Sequence, residues 1–244
     1  MCLRLLGALR GEMRVAIEMP DSVGAILVAA GRSTRMGFDK VWAKLGDGYV
    51  LAWSLHALAE SGRVDRLALV VAPGRVLAAR DLAGQVSLPV AIVEGGERRR
   101  DSVARGLEAL DDCDWIVVHD AARPLLSASL VSAGLAAARS TGAAVAALPV
   151  SDTIKRVRDL AVVETLARAE LWAVQTPEVF RRDLLSAALR ASDDDVTDEA
   201  TLLEAQGAEV RVFGGEHTNL KITTPDDLEL ARALVQLRAM GLTS

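Results

Sequence analysis

A chain of 244 residues, 51% hydrophobic but only 3% aromatic, is long enough for one large α/β domain with a core of Ala, Val and Leu. Its net charge of −5 argues against a broad nucleic-acid or anionic-membrane surface, though not against a local basic pocket for a small phosphate ligand. With only Cys2 and Cys113, a disulfide framework and a Cys-rich metal site are both excluded, and a reducing cytoplasm is the expected compartment.

Residues 1–21 read as a leader outside the fold, with 22–244 forming a single domain. The stretch Cys2–Arg10 is mildly apolar, but arginines interrupt it, and a signal peptide (the competing reading) needs a longer unbroken apolar segment. Met13 and Met19 are alternative starts. No apolar run approaches the roughly 20 residues of a membrane helix.

The run from Ala25 to Ala30 has the unbroken apolarity of a strand buried on both faces, and it breaks at Gly31 into a loop carrying Arg32 and Arg35. A buried strand, a turn of small residues and a basic loop can hold phosphates, because the backbone approaches closely and arginine binds in bidentate fashion. Alone, a surface turn is an equal reading. The loop lacks a Walker ending, and Ser33 stands where Gly-x-Gly-x-x-Gly needs its second glycine.

Further helices are expected at 50–60, 76–82, 103–110, 130–139 and 181–191, and strands at 67–72, 90–93, 115–118 and 143–150. This alternation indicates a Rossmann-like, doubly wound, mostly parallel sheet, in which ligands bind beyond the carboxyl ends of the strands. The loops after the first, third and fourth strands would then share one edge.

Beyond residue 150 the alternation stops. Residues 151–159 and 162–170 read as two ribbons about a turn near Asp159, too polar for central strands. They fit a protruding β-hairpin arm at about 150–171, of the kind that pairs with a partner subunit. Leu171–Pro177 leads back to the body, Thr197 reads as a helix N-cap, and 209–213 as a late strand. Thr224 caps the last helix, with Pro225 at its first position and acids in its first turn.

Arg35 and Lys40 could neutralise charge developing on a pentacoordinate α-phosphorus and on departing pyrophosphate. Asp120, directly after a buried strand, suits a carboxylate holding Mg²⁺ against phosphate oxygens; capping, or pairing with Arg123, is the plainer alternative. His119 reads as a packing or hydrogen-bonding residue, because no second His or Cys lies at ligand spacing. At most one of Arg98, Arg99 and Arg100 is expected to reach a ligand. Asp193-Asp194-Asp195 reads as a solvated loop, and the four tryptophans as packing residues.

Seven motifs occur in a fixed order: Ala29-Ala30-Gly31 with Arg35-Met36-Gly37, Gly95-Gly96 through Ser102-Val103, His119-Asp120-Ala121-Ala122-Arg123-Pro124, Asp152-Thr153-Ile154-Lys155, Gln175-Thr176-Pro177, Thr197-Asp198-Glu199-Ala200 and Asn219-Leu220-Lys221-Ile222-Thr223. In that order the chain resembles the 2-C-methyl-D-erythritol 4-phosphate cytidylyltransferase family of the non-mevalonate isoprenoid pathway, over roughly residues 22–240.

The resemblance implies a nucleotidyltransferase fold, a homodimer joined through the arm, and transfer of CMP from CTP to the polyol phosphate with release of pyrophosphate. It also implies the site. Ala29, Ala30 and Gly31 would wall the cytosine and triphosphate. Gly96, Glu97 and Ser102 would read the base, with Asp120 and Ala121 at the ribose and Asp120 at Mg²⁺. Arg35, Lys40 and Lys221 would be catalytic. Arg123, Thr153, Arg168, Thr176 and Lys221 would serve the polyol phosphate, Arg123 by bracing the loop that carries Asp120, and Thr153 and Arg168 by reaching the neighbouring subunit's substrate.

Three departures stand out. Val28 replaces a common proline, Ser33 a common glycine, and Asp39-Lys40-Val41 the usual Pro-Lys-Gln, which leaves Lys44 as an outside candidate for the role of Lys40. A cytidylyltransferase for another polyol phosphate, such as ribitol 5-phosphate, is the nearest rival. A non-catalytic nucleotide-binding protein and a nicotinamide-dependent oxidoreductase are more distant ones.

Overall fold

A computed structural model describes residues 21–31 and 39–242; residues 1–20 of the expected leader, the loop 32–38 bearing Arg35, and residues 243–244 lie outside the described residues. β1 (Val23–Ala29) is followed by a 3₁₀ turn (Lys40–Trp42), a small hairpin of β2 (Lys44–Leu45) and β3 (Gly48–Tyr49), and α1 (Val50–Ala59). Next come β4 (Arg66–Val71), α2 (Val76–Ala83), β5 (Val90–Glu94), α3 (Arg99–Glu108), β6 (Trp115–Asp120), α4 (Ala128–Ala138) and β7 (Ala143–Pro149). The chain continues through β8 (Lys155–Arg158), β9 (Ala161–Thr165), a second 3₁₀ turn (Arg168–Glu170), β10 (Trp172–Arg181), α5 (Arg182–Ala191), α6 (Ala200–Glu204), β11 (Arg211–Gly214) and α7 (Pro225–Ala239).

Seven strands form one sheet in the order β11-β7-β10-β6-β1-β4-β5. All neighbours pair in parallel except at β10, which runs against both β6 and β7. The central strands are apolar throughout because helices cover both faces. Leu27, Leu69 and Val117 enter the core beneath α1, α2 and α4, while their neighbours Ile26, Val70 and Val118 enter the core beneath α3, α5 and α6. A third, smaller cluster joins Leu45 and Val50 to Ile222, Leu228 and Ala231, seating α7 against β2.

β1 sits between β4 and β6, so the chain leaves it on one side and returns on the other. That reversal opens a crevice at the carboxyl ends of β1 and β6, where an open α/β sheet binds its ligands.

Three expectations change. The segment leading back from the arm is a full ten-residue strand, β10, with Pro177 and Glu178 inside it. Pairing with β7 shifts register between Gln175 and Glu178, and the irregularity accommodates a residue with no N–H to give. α3 begins at Arg99, four residues before its apolar stripe, because the Asp101 carboxylate in its first turn accepts both the Arg98 backbone N–H at 3.2 Å and the Arg98 guanidinium. Thr197 does not cap α6: the helix starts at Ala200, and Asp198 Oδ1 accepts the Thr201 N–H at 2.9 Å.

β8 and β9 form a separate two-stranded hairpin turning at Asp159 and Leu160, both at positive φ (49° and 63°). Every residue of both strands is exposed, and Leu160 at the tip is 99% exposed. Val157, Val162 and Val163 on the hairpin, and Trp172 and Val174 on the outer part of β10, are exposed apolar side chains on the same excursion of the chain.

Candidate active site

The carboxyl ends of β1, β4, β5 and β6 surround a cavity of 610 Å³. Register places Val28 beside Asp120 and Ala29 beside Val71, so the loops after these strands start level with one another. Ala29, Ala30, Gly31, Lys40, Gly96, Glu97, Ser102, Asp120 and Lys221 all line the cavity. Ala72 and Pro73, from the loop after β4, complete the wall. Nothing in their residue types marked them; they are present because β4 lies between β1 and β5.

Small residues let the walls approach. A Cβ on Gly95 would lie 2.2 Å from Ala30 Cβ and 2.9 Å from Ser102 Oγ, and one on Gly96 would lie 2.3 Å from Asp101 Cβ. The loop is fixed on both sides, since Gly95 N–H donates to the Val71 carbonyl at 2.8 Å and Gly96 N–H to Ser102 Oγ at 3.1 Å. Arg105 donates to the Glu94 and Gly95 carbonyls.

Asp120 is the electrostatic centre. Its Oδ2 pairs with Lys221 Nζ at 2.6 Å and its Oδ1 with Arg99 at 3.4 Å. Burial alone would raise its pKa, but the charges of Arg99, Lys221 and Arg123 outweigh burial and hold the carboxyl well below the usual range. Arg99 continues inward to Glu178 at 3.7 Å and to Glu199, with which it forms a close ion pair. Glu199 N–H also donates to Glu178 Oε2 at 3.1 Å. Burial opposes the charge on Arg99, but Glu199, Asp120 and Glu178 outweigh it and raise its pKa. Burial and the neighbouring Glu199 push Glu178 well up, and burial pushes Glu199 up despite Arg99. Neither acid was visible as a site residue in the sequence, because folding brings them to Arg99 from distant segments.

Behind the wall lies a hydrogen-bonded brace. His119 is fully buried; its ring N–H at Nε2 donates to the Arg123 carbonyl at 3.0 Å, which leaves Nδ1 to accept the Thr176 hydroxyl at 3.0 Å. Asp120 N–H donates to the same Thr176 oxygen at 3.1 Å. Arg123 donates to the Asn219 carbonyl, and Asn219 donates to the Thr176 carbonyl, both at 2.8 Å. Thus Arg123 and Thr176, both expected to serve the substrate, lie behind the cavity and hold its walls, and Ala121 is buried beside them.

Thr153 and Arg168 lie outside the cavity of their own chain, exposed at the base of the hairpin, where Arg168 donates to the Ser151 carbonyl. Lys44 also lies outside it, with its ammonium 4.1 Å from the Tyr49 ring centroid. Of the three consecutive arginines, Arg98 and Arg99 line the cavity, whereas Arg100 is buried and donates to the Leu189 and Ser192 carbonyls. Asp193 is exposed and pairs with Arg98 at 2.8 Å.

Among the described residues no group of three or more His, Cys, Asp or Glu could cage a metal. Of the described residues, two carboxylates line the cavity, Glu97 and Asp120; Asp120, ionised beside Lys221, fits a Mg²⁺ carried largely by substrate phosphates better than a protein cage, and would be the residue to hold it.

A mostly parallel sheet with a crevice at its reversal, lined by Lys40, Lys221 and Asp120, defines a Rossmann-like α/β protein with a site suited to a phosphorylated ligand. The model of the family described as 2-C-methyl-D-erythritol 4-phosphate cytidylyltransferase (IspD) matches residues 23–237, and the chain belongs to that family. A relative of that description from Dehalococcoides mccartyi is 44% identical over 220 residues, spanning 88% of this chain and 97% of its own. One from Pelotomaculum thermopropionicum is 42% identical over 230 residues, spanning 89% and 96%. The crystal structure of 2-C-methyl-D-erythritol 4-phosphate cytidylyltransferase from Thermus thermophilus superposes with a TM-score of 0.73 at 35% identity, covering 89% of this chain and 100% of that one. A 4-diphosphocytidyl-2C-methyl-D-erythritol synthase from Anaerococcus prevotii gives 0.80 at 29% identity, covering 88% and 99%.

Proposed function

We propose that this chain transfers CMP from CTP to 2-C-methyl-D-erythritol 4-phosphate, giving 4-diphosphocytidyl-2-C-methyl-D-erythritol and pyrophosphate for isoprenoid precursor synthesis. Family membership supports the reaction. The observation that carries it to these residues is the single cavity joining Lys40, Lys221 and ionised Asp120 to the Gly95–Ser102 loop.

CTP lies across the strand ends. Ala29, Ala30 and Gly31 form its wall, Gly96, Glu97 and Ser102 read the cytosine, and Asp120, with buried Ala121 behind it, flanks the ribose. The substrate phosphate attacks the α-phosphorus in line, and the bond to pyrophosphate breaks. A phosphate dianion is already nucleophilic, so no general base and no covalent intermediate are needed. Catalysis is positioning and charge neutralisation. Lys40 meets the departing phosphates together with Arg35, and Lys221, oriented by Asp120, meets the α-phosphate and the incoming sugar phosphate. Bound Mg²⁺ supplies further neutralisation of the triphosphate. Arg123 and Thr176 act by bracing the walls.

A homodimer in the cytoplasm is part of this reading. The exposed valines and Leu160 of the hairpin give it an apolar face, and Thr153 and Arg168 at its base are then free to serve the neighbouring subunit's substrate. Pyrophosphate release, measured with CTP and a panel of polyol phosphates, tests the assignment. Release specific to 2-C-methyl-D-erythritol 4-phosphate supports it. Preference for ribitol 5-phosphate, or no release with any substrate, refutes it.

A further inference from the structure

Lys40 stands on a short 3₁₀ turn, Lys40–Trp42, and lines the cavity. The 3₁₀ segment is closed by Trp42 N–H to the Asp39 carbonyl at 3.1 Å and Ala43 N–H to the Lys40 carbonyl at 3.2 Å. So short a 3₁₀ turn, with its poor hydrogen-bond geometry, does not fix a side chain by itself. Val41 anchors it from below, buried in the core at 5% exposure. The outer side is held by a different loop. Arg75, from the turn that ends β4, places its guanidinium carbon 5.2 Å from the centre of the Trp42 ring and its Nη2 3.5 Å from Asp39 Oδ2. Trp42 in turn packs edge-on against Tyr49, with ring centroids 5.8 Å apart.

One guanidinium therefore holds the residue before Lys40 and the residue two beyond it. The same loop contributes Ala72 and Pro73 to the cavity wall, so the contact staples two walls together on their outer side. We propose that Arg75 and Trp42 are positioning residues for Lys40, setting where its ammonium stands relative to the departing phosphates. The inference rests on the role given to Lys40 above. A stack and an exposed ion pair add little to stability, but a displacement of about 1 Å at a charge-neutralising group can cost two orders of magnitude in rate.

The test is a double-mutant cycle read in steady-state pyrophosphate release, with thermal melts to verify folding. Arg75→Met, which keeps the aliphatic stem, is expected to lower kcat about tenfold with little change in KM for CTP. Arg75→Lys, still able to pair with Asp39, is expected to recover most of that loss, and Trp42→Leu to act like Arg75→Met. In a Lys40→Ala background, Arg75→Met is expected to have no further effect. Normal kcat in Arg75→Met beside a disabled Lys40→Ala protein overturns the proposal, as do losses that multiply in the double variant. Full turnover in Lys40→Ala overturns the reading of Lys40 itself, and with it the purpose of the clamp.

Discussion

The buried groups behind the cavity make the site sensitive to acid. Burial holds His119 to a pKa of about 4 instead of 6.5, partly offset by its bond to the Arg123 carbonyl. Below pH 6.5 the unfolded chain takes up a proton that the folded chain refuses until about pH 4. The stability contributed by neutral His119 is thus whole above pH 6.5 and is lost as pH falls toward 4, to a limit of about 3 kcal/mol. Glu178 and Glu199, with raised pKa values, act in the opposite sense, so the informative quantity is the difference between the parent and a His119→Gln variant. Urea unfolding at pH 7.5 and 4.5 is expected to show a smaller acid loss in the variant. Arg99→Ala leaves three buried or near-buried acids without their shared cation and is expected to cost about 3–5 kcal/mol in the same assay. At the reacting centre, Lys40→Ala is expected to lower turnover about a hundredfold or more with folding intact, as loss of a transition-state donor does.

Elements differ in what they must satisfy, and hence in how visible they are in the sequence. Gly95 admits no side chain, because its Cβ position is occupied by Ala30. Gly95→Ala is expected to displace the wall after β5 and raise KM for CTP about tenfold or more, read in the same pyrophosphate assay. β1, β4 and β6 announce themselves as apolar runs because both faces of the sheet are covered, and α7 because Thr224, Pro225 and Asp227 form its cap. β10 does not. Pro177 and the buried Glu178 contradict a central strand locally, and only the bulge against β7 and the partner Arg99 make them tolerable there. The start of α3 was hidden by three arginines that look like a solvated run, yet one of them is buried among carbonyls. Much of the cavity lining was legible because each turn follows a visible strand. The second layer of Glu178, Glu199 and Asn219 was not, since its members meet only through tertiary packing.

At the scale of the whole molecule, the cavity and the hairpin stand apart: the cavity lies at the strand ends, and exposed valines, interleaved with the Arg156–Glu164 ion pair, gather on the excursion through β8 and β9. If that apolar face joins two copies, Leu160→Glu is expected to shift the protein to monomers in sedimentation equilibrium and to lower turnover, because Thr153 and Arg168 no longer reach a neighbour. The way the excursion leaves and rejoins the body has a further consequence. β7 ends at Pro149, and β10 begins at Trp172 directly opposite it, in paired register. The two ends of the excursion are therefore already adjacent, and closing them needs only a tight turn. The length between them is decoupled from the sheet, because loop-closure cost grows only slowly with length. The hairpin is thus a module that can lengthen, shorten or change its face without disturbing the register of a single core strand.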